Sequence, residues 1–268
     1  FTDPVNGGMW FAIKPEPDED GHGVPWDEAS RVKSQYHTVY ALLGVAAATV
    51  ANRPGAHELL NRMLEEQKEL WTDDFGRVWD EYDEAFAEAV PVHTLGTLIH
   101  TIEAYMAAAE ATTEPEWLDR AEKMTAFAYK VASKNNWRIP EYYDEEWQPS
   151  LEAGKLCNDG RRYHEGYVTG HSMQLARFAL QVRAGLRSMG WDVPDYLLEM
   201  GTELFERARV DGWRRTGGAP GFSTGVNDQG DPVPGEDEHQ QWVVCEGVCA
   251  AVAVRRAMLD DGHRLDEV

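Results

Sequence analysis

Apolar residues recur at helical spacing along most of the chain, and turn-forming residues separate the segments in which they do so. The clearest case is the third segment, where Leu95, Ile99, Ile102, Tyr105 and Met106 lie on one stripe. The pattern predicts seven helices, near residues 26–52, 55–72, 92–112, 115–134, 171–189, 193–210 and 237–260. Strand signals are weak and short, near residues 9–13, 78–82 and 222–226. We therefore expect an all-α protein.

A long-range period accompanies the helices. Histidines lie in or at the start of alternate segments, at His37, His100, His171 and His239, which are 63, 71 and 68 residues apart. Gly-, Asp- and Trp-rich turns recur between helix pairs. A repeating helical hairpin cannot bury its apolar face alone and stacks on its neighbours. The period predicts an α/α barrel whose inner helices gather polar groups at one mouth of a central pocket.

The number of helices bears on the extent of this barrel. A closed ring of six hairpins needs twelve helices, and the pattern predicts seven. We expect residues 1–268 to form a single α/α-toroid catalytic domain, with part of a complete ring absent from the sequence.

The charge balance excludes several kinds of partner. The chain has 47 acidic and 25 basic residues, a formal net charge of −22, and the acidic residues are spread along its whole length. Such a surface repels nucleic acid and anionic membranes. It is typical of a salt-adapted (halophilic) proteome and equally of an ordinary acidic cytoplasmic enzyme.

The cysteines and the apolar stretches exclude other classes. Three cysteines, Cys157, Cys245 and Cys249, are too few for a disulfide framework. Cys245 and Cys249, four residues apart on one predicted helix, are predicted to be small buried apolar residues. No apolar stretch is long enough to cross a bilayer. We see no pattern typical of a metal site and expect no metal.

Three motifs carry a family resemblance. Residues 136–149 read N-W-R-I-P-E-Y-Y-D-E-E-W-Q-P, residues 170–177 read G-H-S-M-Q-L-A-R, and residues 98–104 read L-I-H-T-I-E-A. In this order they resemble the motifs of the N-acylglucosamine 2-epimerase, mannose isomerase and sulfoquinovose isomerase family. Weaker matches lie at Lys33 and Tyr36, near Gly221, and at Gln241, Trp242 and Glu246.

The resemblance implies an (α/α)6 toroid that isomerises or 2-epimerises a mannose-like aldose without a cofactor. A base removes the proton beside the carbonyl, and an enediolate forms. His171 falls on the position of one catalytic histidine, and imidazole suits the task because it exchanges protons near neutral pH. No counterpart of the family's second catalytic histidine is found. Relatives often pair, so a homodimer is possible.

One departure concerns the residue three positions after His171. The family has Glu there, on the same helix face as the histidine, and this chain has Gln174. Glutamine can hydrogen-bond the imidazole but supplies no charge. We expect a weaker base or an altered role for His171.

Other residues are predicted to contact the sugar. Aromatic rings stack on the apolar faces of sugars, and polar side chains bind their hydroxyls. Purely structural roles stay open as alternatives to sugar binding: His100 as a core residue, Arg162 in a surface ion pair, Glu246 bound to a neighbouring arginine, and Trp147 packing its loop. The predicted substrate-binding set is His100, Tyr36, Trp137, Arg162, Gln174, Gln241, Trp242 and Glu246.

Two further functions compete with the isomerase. The acidic run Asp80, Glu81, Tyr82, Asp83 and Glu84 would suit a glycoside hydrolase or lyase on an α/α barrel, because glycoside cleavage needs paired carboxylates. Gln174 and the missing second histidine would suit a non-catalytic sugar-binding relative.

Overall fold

The predicted helical pattern is confirmed. The computed structural model describes residues 2–73, 76–156, 163–214, 220–236 and 238–262. Within these ranges all seven predicted helices occur, together with the short α5, which Ser150 caps by accepting the N–H of Ala153. The helices are α1 (Gln35–Val50), α2 (Ala56–Glu69), α3 (Leu95–Thr112), α4 (Pro115–Lys134), α5 (Leu151–Gly154), α6 (Thr169–Ser188), α7 (Tyr196–Gly212) and α8 (Gln241–Asp260).

The predicted start of the first helix was wrong. Helix α1 begins at Gln35, not near residue 26. Asp27 and Ser30 bond reciprocally to each other's backbone N–H, as at a helix start, but the pair closes only one 3-10 turn, Ala29–Arg31. The chain then extends at Lys33–Ser34 before the helix begins.

Very short strands fix where three helices begin. The strands are β1 (Lys33–Ser34), β2 (Glu81–Tyr82), β3 (His93–Thr94), β4 (Tyr142–Tyr143), β5 (Tyr167–Val168), β6 (Trp213–Arg214), β7 (Gly221–Phe222) and β8 (Gly225–Val226). They pair antiparallel as β1 with β2, β3 with β4, β5 with β8, and β6 with β7. Helices α1, α3 and α6 follow β1, β3 and β5 directly, so each strand pair anchors a helix N-terminus.

The weak strand signals are confirmed in part. Strand β2 lies in the predicted stretch 78–82, and β7 and β8 overlap the stretch 222–226. Around residues 9–13 the chain makes only isolated bridges, Met9 with Thr2, Trp10 with Lys33 and Ile13 with Pro25.

Two compact units divide the chain. Unit 1 comprises Phe1–Trp117 and Tyr142–Tyr163, and unit 2 comprises Leu118–Glu141 and His164–Val268. In unit 1, α1 packs on α2 and α3. A buried polar contact crosses that core, since Gln67 exchanges amide hydrogen bonds with Gln35 and accepts one from Tyr105. The prediction of one catalytic domain stays a prediction.

In unit 2, α6 packs on both α7 and α8. One apolar cluster lies near the N-terminal halves of α6 and α8, and a second lies farther along the same helices. The first contains Met173, Ala208, Phe222, Val243 and Ala250, and the second contains Leu180, Val254 and Ala257. The first cluster packs the N-terminal parts of α6 and α8 together.

A turn geometry also repeats along the chain. Asp83, Asp144 and Asn227 each accept, through the side chain, the backbone N–H of the residue four positions later. The residue three positions after each one, Phe86, Trp147 or Gly230, has positive φ. Side-chain capping by Asp or Asn explains why these turns tolerate a left-handed Phe or Trp. Trp147 is buried and stacks on His93, so its predicted packing role is confirmed.

The cysteine prediction was wrong for two residues. Cys245 and Cys249 are free and exposed on α8, since the buried face of that helix is formed by Val243, Gly247 and Ala250. Cys157 lies outside the described residues. Among the described helices, none combines the length and the apolar character needed to cross a membrane.

A buried ion pair ties the N-terminal loop to β1. The Lys33 ammonium is fully buried, 2.8 Å from the Asp3 carboxylate and 2.9 Å from the Gly7 carbonyl oxygen. Lys33 is thus a structural residue of β1 and does not lie in the first helix, which was predicted to span residues 26–52. Burial by itself would raise the pKa of Asp3, but Lys33 and the N–H groups of Val5 and Asn6 outweigh it and lower the pKa to about 2.

We predict that Asp3→Asn lowers the free energy of unfolding by about 3 kcal/mol near neutral pH, because it leaves a buried ammonium without a counter-charge. The folded pKa of Asp3 is depressed, so its contribution is present above pH 3.8 and is lost as the pH falls towards 2. Urea unfolding between pH 6 and 2 measures both effects, and the variant should lose less stability over the acid range. Asp119→Asn, which breaks the exposed pair with Lys123, should cost about 0.5 kcal/mol or less. Equal costs in the two variants would contradict the prediction.

Candidate active site

The start of α6 places His171. Strand β5 pairs with β8, and the first helical residue, Thr169, donates its N–H to the Thr224 carbonyl and its hydroxyl to the Ser223 carbonyl. His171 follows in the first turn, and about a fifth of its side chain is exposed. Its imidazole is therefore held by a well-anchored helix end but is accessible from solvent.

A buried carboxylate holds the imidazole. Oε2 of Glu141 lies 2.7 Å from Nδ1 of His171, and Oε1 accepts the backbone N–H of Val168 at 3.2 Å. Glu141 is only 4% exposed. Because a carboxylate accepts at Nδ1, we assign the proton to Nδ1, which leaves a lone pair on Nε2. In the described part of the chain, Nε2 of His171 has no hydrogen-bond partner.

This arrangement corrects the expectation for Gln174. The charged partner of His171 is present but comes from Glu141, thirty residues earlier, and not from the next turn of α6. Gln174 itself is buried in α6 and 6% exposed. The prediction that His171 is a weaker base or has an altered role stays a prediction.

The rest of the N-W-R-I-P-E stretch fixes Glu141. Arg138 donates two hydrogen bonds to Asp211, at 2.7 and 3.0 Å, and both side chains are buried. Asn135 donates to the Arg138 carbonyl and to the Tyr167 hydroxyl. When a guanidinium binds a carboxylate through two hydrogen bonds, the relative orientation of the two groups is fixed as well as the distance between them. These contacts hold the loop that carries Glu141 against α7 and β5.

Trp242, the second residue of α8, lies beside His171. The two ring centroids are 5.5 Å apart, with the planes tilted by 45°, and the indole N–H donates to Gln240. A Cβ on Gly170 would lie 2.3 Å from the indole ring. Glycine at position 170 thus allows the tryptophan to pack on the first turn of α6.

One turn farther along, an ion pair bridges the same two helices. Arg177 donates to Oε2 of Glu246, at 2.9 and 3.3 Å. The structure shows the structural role expected as an alternative for Glu246, which is binding to a neighbouring arginine. Trp242 and Glu246 are four residues apart on α8, so His171, Trp242, Arg177 and Glu246 lie along one helix seam.

The predicted residues of unit 1 form a separate group. His100 lies on α3 and is 6% exposed, with Nδ1 3.1 Å from Glu103 and Nε2 2.9 Å from the Tyr40 hydroxyl. The Tyr36 ring lies 5.4 Å from the His100 ring, centroid to centroid. Tyr40 was missed in the sequence, although it follows Tyr36 by four residues on the same helix.

Three other predicted residues are less informative. The ring of Trp137 lies 5.9 Å from that of Tyr129, on α4. Gln241 is exposed at the start of α8, and Arg162 lies outside the described residues. Of the residues that the structure describes, no group of three or more His, Cys, Asp or Glu side chains is arranged to hold a metal ion.

Comparison with known proteins identifies the family. The family model for N-acylglucosamine 2-epimerase (GlcNAc 2-epimerase) matches residues 6–264. The chain belongs to this family. A D-mannose isomerase of Thermobifida fusca is 30% identical over 98% of the chain, and one of Pseudomonas cannabina pv. alisalensis is 30% identical over 94%.

A solved structure of a similar protein shares the fold. A crystal structure of a D-mannose isomerase matches with a TM-score of 0.77 and 21% identity, over 92% of this chain and 63% of the other. The predicted fold class, an all-α protein of the (α/α)6-toroid type, is confirmed. The chain spans 61% and 58% of the lengths of the two curated relatives.

We predict that Gly170→Ala lowers the free energy of unfolding by about 1–3 kcal/mol, because the new methyl group overlaps the Trp242 ring. Urea denaturation measures the change. Gly44→Ala is the matched control, since a Cβ there meets nothing within 4 Å in α1. Alanine in a helix interior should stabilise that variant by up to about 1 kcal/mol. Equal losses at the two positions would show that the indole contact does not limit residue 170.

Proposed function

We propose that this protein isomerises or 2-epimerises a mannose-like aldose without a cofactor, with His171 as the group that moves the proton on C2. The observation that carries the proposal is the 2.7 Å contact between the buried Glu141 carboxylate and Nδ1 of His171. This contact directs the unprotonated Nε2 of His171 away from the Glu141 carboxylate. An imidazole held in this way suits a general base.

The chemistry follows from that tautomer. In the open-chain aldose the C2 hydrogen is acidified by the neighbouring carbonyl. Nε2 accepts this proton, and the electron pair of the C–H bond forms the C1–C2 double bond of an enediolate. The imidazolium that results carries its charge beside Glu141, which stabilises it. Return of the proton to C1 gives the ketose, and return to the opposite face of C2 would give the epimer.

Trp242 supports a sugar ligand beside this base. Its indole lies 5.5 Å from the imidazole and is only partly buried. Aromatic faces bind the apolar C–H surfaces of sugars, and the indole N–H is already satisfied by Gln240. The relatives named D-mannose isomerase favour mannose as the first substrate to test.

The acidic run 80–84 does not support the hydrolase alternative. Asp80 is fully buried and accepts the N–H and the hydroxyl of Thr94. Asp83 accepts two backbone N–H groups of its own turn, and Glu84 pairs with Arg31. Asp80, Asp83 and Glu84 hold turns and strands together, and Glu81 is buried in β2, so the run does not form the accessible carboxylate pair that glycoside cleavage requires.

Further predictions concern the location, the partners and the oligomeric state of the protein. We propose a cytoplasmic protein that acts on a free sugar and binds no nucleic acid, as its acidic surface favours. Homodimer formation and salt adaptation stay predictions. So does the contact of His100, Tyr36, Trp137 and Gln241 with the sugar.

We predict that His171→Ala abolishes the exchange of the C2 hydrogen of mannose with solvent deuterium, a loss of about a hundredfold or more, because no other group replaces the base. Proton NMR of the sugar in deuterium oxide measures the exchange. His57→Ala, at an exposed histidine of α2, is the control and should leave exchange unchanged. Retained exchange in the His171 variant, with its circular dichroism unaltered, would remove His171 from the mechanism.

We predict that Glu141→Gln lowers kcat about 10- to 100-fold with little change in KM, because the buried carboxylate supports the base without reaching the substrate. The amide cannot accept from both Val168 and His171, so the free energy of unfolding should also fall by about 1–3 kcal/mol. Imidazole nitrogen NMR should show loss of the single Nδ1-protonated tautomer at His171.

Glu152→Gln, at an exposed glutamate paired with Lys155, is the matched control and should change neither kcat nor stability. A Glu141→Gln variant with lowered stability but an unchanged kcat and tautomer would make Glu141 a structural residue only.

A further inference from the structure

A groove in unit 2 runs between the C-terminal halves of α6 and α8. Its volume is about 350 Å³, which is within the range of small-molecule binding sites. Arg183, which lines it, lies twelve residues after His171 on α6. That separation corresponds to about 18 Å along the helix axis. The groove is therefore a different place from the candidate active site.

Arginines line this groove in a chain that is otherwise strongly acidic. The guanidinium groups belong to Arg177, Arg183, Arg187 and Arg256. Among the described residues of the lining, Asp260 is the one carboxylate. The chain as a whole has a formal net charge of −22. Against that background, a local surplus of guanidinium groups makes the groove attractive to an anion.

Two of these arginines already converge on a carboxylate. Arg183 and Arg187 lie one turn apart on α6, and both donate through Nη2 to Oδ1 of Asp261, which follows α8. The hydrogen bond from Arg183 is the main cause of the lowered pKa of Asp261, so this carboxylate is charged at neutral pH. Two guanidinium groups within reach of one oxygen atom suit the binding of a tetrahedral oxyanion.

Donors remain unused on both helices. Arg256 is exposed on α8, and within the described ranges no hydrogen bond or ion pair engages its guanidinium. Arg183 is only 8% exposed, and its side chain lines the groove. A guanidinium has five N–H groups, and Asp261 supplies Arg183 with one oxygen. A buried cation of this kind is stabilised by further acceptors.

The floor of the groove is apolar. Leu180 and Ala257 belong to the second apolar cluster of unit 2, and Ala184, Val252 and Ala253 extend the floor. Apolar surroundings lower the local dielectric constant and so strengthen the attraction between a guanidinium and an anion. The floor also offers a surface for the organic part of a phosphate ester.

We propose that Arg183, Arg187 and Arg256 bind a phosphate group, free or as the ester of a small molecule, and that Asp261 is an internal anion that competes with it. Phosphate carries more charge than a carboxylate and has more acceptor oxygens. It displaces Asp261 from the two arginines of α6 and also reaches Arg256 on α8. Arg177 is not included, because Glu246 binds it.

This site goes beyond the proposed isomerase function and does not rest on it. No residue that binds the phosphate group belongs to the candidate active site. Both binding and its loss can therefore be measured without a sugar and without turnover.

The first test titrates inorganic phosphate into the full chain by isothermal titration calorimetry, with ionic strength held constant by chloride. The wild-type protein should bind phosphate saturably. Arg256→Gln should weaken binding about tenfold or more, because a charge-assisted hydrogen bond is lost while no described contact of the fold is removed. Arg209→Gln, at an exposed arginine of α7 paired with Glu206, is the matched control. It should change Kd less than about twofold, since distant exposed charges are screened.

The second test removes the internal anion. Asp261→Asn should bind phosphate about tenfold more tightly than the wild-type protein, because the competitor is neutral. Its thermal midpoint should lie below that of the wild type in chloride and recover in phosphate, since the ligand binds the folded state. Asp119→Asn removes the same charge from an exposed pair with Lys123 and controls for net charge. Weaker phosphate binding in Asp261→Asn would overturn the proposed competition.

Phenyl phosphate distinguishes the two sources of the ligand, because it carries the ester but no sugar. Tighter binding of phenyl phosphate than of inorganic phosphate would identify an ester as the ligand, and equal or weaker binding would identify the free ion. The absence of saturable binding of both compounds, in the wild type and in Asp261→Asn, would overturn the site. An unchanged Kd in Arg256→Gln would do the same.

Discussion

Two hydrogen-bond donors converge on one buried carboxylate, and the geometry of the candidate site in unit 2 depends on that convergence. Glu141 accepts the N–H of Val168 with one oxygen and Nδ1 of His171 with the other. The first bond locates the carboxylate relative to the strand that precedes α6. The second transmits that position to the imidazole. A buried carboxylate is costly to desolvate unless donors surround it. The two contacts are therefore needed for folding as well as for the position of the imidazole.

The stretch before Glu141 shows how such a group can be buried at all. Arg138, three residues earlier, binds Asp211 through two short hydrogen bonds, and the pair is less than a tenth exposed. Removing Asp211 would leave the buried Arg138 guanidinium without its carboxylate partner. The pair therefore fixes the loop strongly, and the loop in turn fixes Glu141. The position of the His171 imidazole thus depends, through Glu141, on the ion pair between Arg138 and Asp211.

The helices, the repeat and the start of α6 could be predicted from the sequence because each is a local pattern. Apolar periodicity located α3 and α4 within a few residues. The partner of His171 could not be predicted in this way, since Glu141 lies thirty residues away and meets it only where Glu141 packs against β5 and the start of α6. Attention to Gln174, a neighbour in sequence, gave the wrong partner. Tyr40 was missed for the same reason, as it meets His100 only where α1 packs on α3.

The two histidines show that residue type alone does not determine role. His171 uses one nitrogen to bind a carboxylate and keeps the other towards solvent. His100 also binds a carboxylate, but its second nitrogen accepts a tyrosine hydroxyl, and its ring is buried. The same tautomer therefore leaves Nε2 accessible in one setting and hydrogen-bonded to a phenol in the other. The two histidines differ in whether another side chain lies opposite Nε2, and only the packing of the helices determines this.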